Sequence, residues 1–309
     1  MTSELTVNTS LHSAKAWIQV FRPFSYTAAV IPVLLGAALT VYLNEAAAWR
    51  LLPLILLASF FLQAGTNLVS EYFDYRKGVD RPETYGSSRV LVEKRLDPKQ
   101  VLLVGMGCFA ITACIGLVFV ALHGWTILLL GVIGLLGGFF YTAGPLAYKY
   151  FGLGDLFVFC LMGPLMVIGS FFVLTGAYDH SVLFISLPVG FLVAGILSGN
   201  NLRDISHDTQ AHIHTTATIL GHRRARWEYV ALTLGAYLAV PVMIAFDVLP
   251  LWSLLTFLTI PPAIKNIKSA LKSHPEKPEE IAMLDVQTAQ LHMPFGLLLI
   301  ISVILGGLF

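Results

Sequence analysis

Nine apolar stretches, each long enough to cross a bilayer, recur along the 309-residue chain. They are predicted near residues 24–43, 51–70, 100–122, 125–145, 154–177, 181–201, 227–246, 249–265 and 288–308. The eighth is the weakest, because Pro261 and Pro262 interrupt it. The composition agrees with this pattern: 56% of the residues are hydrophobic, 12% are charged and the mean hydropathy is +0.76. We therefore expect an all-α, polytopic integral membrane protein and not a soluble domain.

The basic residues are distributed unevenly between successive loops. Lys and Arg fall before the first span and after the second, fourth, sixth and eighth spans, and Arg50 is the one exception among the 19 Lys and Arg residues. The positive-inside rule places these segments in the cytoplasm. Residues 1–16 are therefore predicted to be a short cytoplasmic segment. Residues 17–309 are predicted to be a single transmembrane domain whose C-terminus lies outside.

The first of two acidic clusters follows the second span. Asn67, Glu71 and Asp74 are spaced i, i+4 and i+7, so on a helix they share one face. Asp80 lies beyond Gly78, where the helix is expected to end. Carboxylates are costly near hydrocarbon, so a membrane protein rarely keeps several without a use for them.

The second acidic cluster follows the sixth span. Asn200, Asp204 and Asp208 are spaced i, i+4 and i+8, again on one face. Both clusters offer oxygen ligands only, which suits Mg²⁺ better than zinc or copper. Because both fall on the predicted cytoplasmic side, a helical bundle could bring them together into one site that holds a diphosphate through Mg²⁺.

Other interpretations remain open from the residues alone. Either cluster by itself could be a solvated helix end that pairs with nearby Lys and Arg, or part of a cation-coupled transporter. Candidate diphosphate-binding cations surround the clusters: Arg76, Lys77, Arg81, Arg89, Lys149 and Arg203. Lys149 stands out because it is the only basic residue between the fourth and fifth spans.

These motifs resemble those of the UbiA superfamily of membrane prenyltransferases, and more closely the branch that contains 1,4-dihydroxy-2-naphthoate polyprenyltransferase. The similar stretches begin with the sequence from Trp17 to Pro23, and the resemblance extends to the end of the chain. The others are Asn67 to Asp80, Gly86 to Val90, Tyr141 to Pro145, Gly152 to Asp155, Asn200 to Ile205 and Thr218 to Gly221.

The resemblance implies a nine-helix bundle around a central cavity and Mg²⁺-dependent transfer of a polyprenyl group to an aromatic acceptor in menaquinone synthesis. It implies a bacterial inner-membrane enzyme whose partners are a polyprenyl diphosphate, the acceptor and lipid, but no nucleic acid. The expected Mg²⁺ ligands are Asn67, Glu71, Asp74, Asp80, Asn200, Asp204 and Asp208. The expected catalytic residues are Lys149, Tyr141, Asp74 and Asp204. The expected diphosphate contacts are Arg76, Lys77, Arg89, Lys149, Arg203 and Asn201.

The chain departs from the family pattern at three places. Glu71 stands where Asp is usual, His212 and His214 replace a small residue and a basic one, and Lys94 lies where Gly is common. The first two departures are expected to touch the site, so we expect any difference in acceptor choice to arise there. Acceptors such as 4-hydroxybenzoate and homogentisate remain alternatives, although the spacing of Glu71, Asp74 and Asp80 favours the naphthoate branch. A zinc site built from His207, His212 and His214 is not expected, since no Cys accompanies them.

Overall fold

The computed structural model describes residues 14–82, 84–85 and 88–309. Most of the predicted N-terminal segment 1–16 lies outside the described residues, as do Gly86 and Ser87 of the motif before Arg89. Regular structure in the described residues is helical, and they contain no strand beyond an isolated bridge between Phe151 and His214. The predicted all-α class is confirmed.

The principal helices follow the predicted apolar stretches. They are α1 (Thr27–Tyr42), α2 (Leu52–Arg76), α3 (Pro98–His123), α4 (Trp125–Phe139), α5 (Gly154–Thr175), α6 (His180–Gln210), α7 (His222–Ala245), α8 (Ile260–Lys272) and α9 (Leu284–Leu308). Short 3₁₀ turns at Pro23–Tyr26 and Trp49–Leu51 lead into α1 and α2. Within the part of the chain that the structure describes, seven helical stretches are long and apolar enough to cross a membrane.

Two predicted spans fall outside that group of seven. Helix α4 has 15 residues, about 22 Å of helix against a hydrocarbon core of about 30 Å. The predicted span near 249–265 becomes a 3₁₀ helix at Leu251–Thr259, followed by α8 with Pro261 and Pro262 in its first turn. Proline suits this position, because a first-turn N–H would have no partner within the helix.

The main core forms where α1, α5, α6, α7 and α9 pack together. Leu35 of α1, Phe171 of α5 and Phe295 of α9 are almost fully buried there. Gly36 permits the close approach of α1 to α5, because a Cβ atom at this position would lie 2.6 Å from the Val167 carbonyl oxygen. Helix α2 packs along α3. Of the helices in this core, α1, α5, α6 and α9 border the cavities described below.

Helix α5 contains one π-helical turn at Leu161–Leu165. Pro164 lies in this turn and removes one N–H from the helical hydrogen-bond ladder. Turns of this kind often occur at functional sites, because they redirect side chains out of the regular helical register. Here Leu161, Met162 and Leu165 all line an internal cavity.

Candidate active site

A small polar cavity of about 30 Å³ lies between the ends of α2 and α6. Asp74 and Asp80 of the first cluster reach it, and so do Asn200, Asp204 and Asp208 of the second. The other residues that line it are Arg22, Val79, Thr84, Lys149 and His207. The structure therefore brings the two clusters together, the arrangement that the one-site hypothesis required.

Asp74 is the most heavily hydrogen-bonded carboxylate of the first cluster. It is 2% exposed and accepts hydrogen bonds from Lys149 Nζ at 2.8 Å, from Ser70 Oγ at 3.1 Å and from the Tyr150 hydroxyl. Burial lowers the pKa of Lys149, but the charge and hydrogen bond of Asp74, together with Tyr141 and Asp208, outweigh burial and hold the pKa of Lys149 above its usual value. Burial and the same carboxylate raise the pKa of Tyr150. Beside Asp74, Lys149 is therefore a cation and Tyr150 a neutral donor.

Asp80 lies just beyond the end of α2. Gly78 has a φ of +68°, and the amides of Val79 and Asp80 then donate back to the Asp74 carbonyl. The Oδ2 atom of Asp80 is buried without a hydrogen-bond partner. Burial, together with the charges of Asp74 and Glu71, raises the pKa of Asp80 to about 8. A cation close to Oδ2 would offset both the missing hydrogen bond and the charge repulsion.

Glu71 shares a helix face with Asp74 but does not line the polar cavity. It is fully buried, lies 2.7 Å from Arg22 Nη2 and accepts a hydrogen bond from Ser88 Oγ. Arg22 has a left-handed backbone, with a φ of 52°, immediately before Pro23, and its side chain lines the polar cavity. Glu71 thus holds a cation at the cavity wall.

Asn67 is likewise bound to the segment before α1. Its Nδ2 donates to the Phe21 carbonyl at 3.0 Å and to Ser25 Oγ at 2.9 Å, while Gln63 Nε2 lies 3.3 Å from its Oδ1. Asn67 lines a neighbouring cavity and not the polar one.

The second cluster faces the polar cavity with all three of its members. Asp208 is 6% exposed and has one weak partner, Thr215 Oγ1 at 3.4 Å. Asn200 Oδ1 and both oxygens of Asp204 accept hydrogen bonds from Arg203. Asp208 is therefore the least occupied carboxylate of this cluster.

Arg203 was predicted to contact a diphosphate, but the structure gives it protein partners. Its side chain is 1% exposed, and Nε and Nη2 donate to Asp204 at 2.9 and 2.8 Å. Nη1 lies 2.9 Å from Asp285 Oδ1 on α9 and donates to the Ala282 carbonyl at 3.0 Å. Arg203 does not line the polar cavity. Its position supports a structural contact with Asp204.

Of the other predicted diphosphate contacts, Lys149 lines the polar cavity, whereas the remaining four do not. Arg76 lies over the Tyr72 ring, and Lys77 Nζ lies 3.9 Å from the centroid of the Tyr150 ring. Arg89 Nε is 3.5 Å from Glu93. Asn201 Nδ2 donates to Asp155 at 3.2 Å, and its Oδ1 is buried without a partner.

Tyr141 and Lys149 lie at the two ends of one loop. The Lys149 amide donates to the Tyr141 carbonyl at 3.0 Å, and Lys149 Nζ lies 5.7 Å from the centroid of the Tyr141 ring. The Tyr148 hydroxyl donates to the Gly137 carbonyl of α4 at 2.8 Å. This loop therefore fixes the Lys149 ammonium group, which lines the polar cavity, beside the Tyr141 ring.

Two further cavities follow the polar one in series: a mixed cavity next to it and an apolar cavity next to the mixed one. The mixed cavity, of about 190 Å³, shares Arg22, Lys149 and Asn200 with the polar cavity, and it also carries apolar side chains of α5 and α6. The apolar cavity, of about 380 Å³, lies among α2, α3, α4 and α5. The mixed and apolar cavities share Leu62, Gly134, Leu165 and Met166. A polar head and a long apolar tail could thus occupy adjoining spaces.

Sequence reasoning missed three residues that border or support the polar cavity. The prediction includes Arg22 as a basic residue before the first span and within the stretch from Trp17 to Pro23 but gives it no role in the site, and it gives Tyr150 no role at all. The role of His207 was left open, and its Nδ1 is buried without a partner. The only available signal was their position within or beside the quoted motifs. His212 and His214, by contrast, are exposed and line none of the three cavities.

The donor set fits Mg²⁺ in chemistry. Within the described residues, no group of three or more His, Cys, Asp or Glu side chains is arranged to hold a metal ion by itself. Mg²⁺ usually takes one or two carboxylates and completes its shell with water and substrate phosphates. The carboxylates of Asp80 and Asp208, one with an unpartnered oxygen and one with a single weak partner, suit that use.

Comparison with known proteins agrees with this geometry. Residues 29–292 match the UbiA prenyltransferase family. The 1,4-dihydroxy-2-naphthoate octaprenyltransferase of Bacillus subtilis is 31% identical over 288 residues, which are 93% of this chain and 92% of that protein. The UbiA prenyltransferase domain-containing protein 1 of Dictyostelium discoideum is 31% identical over 291 residues, 92% of this chain and 86% of that protein.

Solved structures share the fold. A UbiA homologue from Archaeoglobus fulgidus, with GPP and Mg²⁺ bound, has a TM-score of 0.60 at 15% identity and covers 94% of this chain and 99% of its own. The apo UbiA homologue from Aeropyrum pernix has a TM-score of 0.64 at 15% identity, over 87% of this chain and 96% of its own. The chain belongs to the UbiA prenyltransferase family.

Proposed function

We propose that this protein transfers a polyprenyl group from an allylic diphosphate to 1,4-dihydroxy-2-naphthoate, with loss of CO₂, in menaquinone biosynthesis. The observation that carries the proposal is the order of the three cavities: the carboxylate-lined polar cavity adjoins the mixed cavity, which adjoins the apolar cavity. The similarity to a naphthoate octaprenyltransferase supports this acceptor.

The diphosphate head suits the polar cavity. Asp74, Asp80, Asp204 and Asp208, with Asn200, would hold Mg²⁺, which when bound would neutralise the diphosphate and stabilise it as a leaving group. Arg22 and Lys149 are the Lys and Arg side chains among the described residues that line this cavity, and they add positive charge on the protein side. Glu71 and Arg203 then act through their partners: Glu71 orients Arg22, and Arg203 orients Asp204.

The prenyl tail suits the passage from the mixed cavity to the apolar cavity. Gly134 lines both, and a Cβ atom added there would have only Leu165 Cδ2, at 3.8 Å, within contact distance. The absence of a side chain at Gly134 thus keeps the passage open. Leu161 and Leu165 of the π turn form the opposite side.

The chemistry follows from these positions. The C1–O bond of the donor breaks and its electron pair leaves with the diphosphate, which creates an allylic cation. The ring face of Tyr141, which lines the mixed cavity beside Lys149, would stabilise that cation. The electron-rich ring carbon that carries the acceptor's carboxylate bonds to C1. The acceptor then releases CO₂, and the electron pair of the broken bond restores the aromatic ring.

The membrane arrangement belongs to the same proposal. Helix α4 and the stretch from Leu251 to Lys272 would complete nine passes, with the N-terminus and the polar cavity on the cytoplasmic side of a bacterial inner membrane. The support is the charge pattern: Lys265, Lys268 and Lys272 of α8 fall on the same predicted side as the acidic clusters.

A product assay tests the proposal. Purified protein receives Mg²⁺, a polyprenyl diphosphate and, separately, dihydroxynaphthoate, 4-hydroxybenzoate or homogentisate, and the products are weighed by mass spectrometry. We expect a prenylated naphthalene product that lacks the carboxyl group, and no product after chelation of Mg²⁺. A prenylated hydroxybenzoate that keeps its carboxylate, or a homogentisate product alone, would overturn the acceptor. Ion-driven uptake into vesicles with no prenylated product would overturn the enzyme assignment in favour of a transporter.

A further inference from the structure

Arg203 is a buried cation shared between two carboxylates on different helices. Asp204 of α6 takes two hydrogen bonds from its Nε and Nη2 atoms, and Asp285 of α9 lies 2.9 Å from its Nη1 atom. Asp204 borders the polar cavity, whereas Asp285 borders the mixed cavity. The three side chains form a chain of charges that connects the start of α9 to the second acidic cluster.

We propose that Asp285 is a positioning residue that controls the affinity of Asp204 for the divalent cation. Asp285 partly neutralises the positive charge of Arg203, so that the Asp204 carboxylate keeps enough negative charge to bind a metal ion. The inference rests on the proposed function, because it assumes that Asp204 faces a divalent cation during turnover.

The physical basis is competition for one cation. Each Asp204 oxygen gives one lone pair to Arg203, and an ionised carboxylate has about four acceptor sites in total. The remaining sites are available toward the cavity that Asp204 lines. The positive charge of Arg203 makes the electrostatic potential at these sites less negative and so weakens their attraction for a metal ion. A second carboxylate on Arg203 offsets that effect. Interactions of this kind are strong here because the Arg203 side chain is 1% exposed.

Asp285 is held in place for this role. It is 6% exposed and lies in the first turn of α9, where the Val286 amide donates to its Oδ1 at 2.8 Å. Arg203 Nη1 also donates to the Ala282 carbonyl just before α9. The backbone at the start of α9 therefore fixes both the guanidinium and its second carboxylate.

The test measures metal binding directly. Wild type, Asp285→Asn, Asp285→Glu and the exposed control Glu280→Gln are titrated with Mn²⁺ in detergent, and free Mn²⁺ is followed by electron paramagnetic resonance. Asp285→Asn keeps the shape but loses the charge, so we expect Kd to rise about tenfold, the lower end of effects seen for groups behind metal ligands. Asp285→Glu is expected to fall between wild type and Asp285→Asn, and Glu280→Gln to match wild type.

Kinetics separate positioning from simple damage. Asp285→Asn is expected to raise the half-saturating Mg²⁺ concentration by a similar factor while kcat at saturating Mg²⁺ stays within about twofold of wild type. A lower kcat at every Mg²⁺ concentration with unchanged Mn²⁺ binding would overturn the proposal. Should Asp285→Asn fail to fold, Asp285→Ser, which also removes the charge, carries the test, and a Kd equal to that of wild type would overturn the proposal.

A double-mutant cycle tests whether Asp285 acts through Arg203. In an Arg203→Gln background, Asp285→Asn should change the Mn²⁺ Kd by less than about twofold. An equal weakening in both backgrounds would mean a general charge effect and would overturn the proposal. Failure of the proposed function would look different: wild type would bind no Mn²⁺, or Asp208→Asn would leave binding unchanged.

Discussion

The two acidic clusters have nearly the same helical spacing, yet the protein uses them differently. In the second cluster Asn200, Asp204 and Asp208 all line the polar cavity. In the first cluster only Asp74 and Asp80 reach it, while Asn67 and Glu71 bind the segment before α1. Spacing determines which side chains share a helix face, but the packed neighbour determines which of them remain available to a ligand.

The difference follows from what lies opposite each helix. The part of α2 that carries Asn67 and Glu71 faces the chain near Arg22. A Glu71 oxygen accepts from Arg22, and Asn67 Nδ2 donates to the Phe21 carbonyl. The end of α6 faces the cavity, and its internal partner Arg203 occupies only part of Asp204. The first cluster therefore combines a half that binds the segment before α1 with a half that faces the polar cavity.

The largest expected effect comes from removing the charge of one cavity carboxylate, and it should be equal for a carboxylate of either cluster. Asp74→Asn and Asp208→Asn should each lower kcat/KM for prenyl transfer by about a thousandfold, since each removes charge opposed to the bound cation. Asp247→Asn is a matched control, because Asp247 is exposed and its positive φ is tolerated by Asn. Turnover within tenfold of wild type in either cavity variant would contradict the shared site.

Glu71→Gln should affect stability and not the Mg²⁺ requirement, unlike a change at a cavity carboxylate. It leaves the Arg22 charge without its buried partner, so we expect a loss of about 3 kcal/mol in unfolding free energy. The half-saturating Mg²⁺ concentration should change by less than about twofold. Thermal unfolding and a Mg²⁺ titration of activity measure the two effects. Unchanged stability with a much higher Mg²⁺ requirement would instead make Glu71 a metal ligand.

Arg22→Gln should show the purpose of the half of the first cluster that binds the segment before α1. Loss of a charge-assisted contact of about 1.5–3 kcal/mol should raise the KM for the prenyl diphosphate by about ten- to a hundredfold. The KM for the aromatic acceptor should remain close to wild type. Arg50→Gln serves as the control, because Arg50 is exposed near the start of α2, at its other end. Equal KM values in the two variants would remove Arg22 from the site.

The smallest effect concerns the loop between α2 and α3, which supplies Ser88 to Glu71. Lys94 has a φ of 56°, a conformation that costs a non-glycine residue about 1–2 kcal/mol. Lys94→Gly should stabilise the protein by about 1 kcal/mol without changing activity. Lys99→Gly, within helix α3, should destabilise it by a similar amount. A loss of stability in Lys94→Gly would contradict this account of the loop.

Much of the fold was predictable, because apolar length and charge pattern act locally. The all-α class and the positions of the helices followed from the sequence, and Gly78 ends the turn after α2 as expected. The lengths of α4 and α8 did not follow, because apolar length does not determine where an α-helix ends or gives way to a 3₁₀ helix. Helix α4 ends at Phe139, and a 3₁₀ helix at Leu251–Thr259 precedes α8.

The site was predictable only in part. Helical spacing predicted a common face for Asp204 and Asp208, and both line the polar cavity. It did not predict the partners of Glu71 or Arg203, because these contacts join residues 49 and 82 positions apart in the chain. At Lys94, by contrast, the sequence did carry a signal. The chain departs there from the family pattern, in which glycine is common, and the backbone is left-handed.

Metal stoichiometry tests the central claim most directly. Mn²⁺ binding is measured in the presence of a prenyl thiodiphosphate that resists cleavage, for wild type, Asp80→Asn and Asp208→Asn. If the two clusters hold one diphosphate together, wild type should bind about two Mn²⁺ per chain and each variant about one. Binding of the same number of ions in all three proteins, or no binding in wild type, would contradict the account.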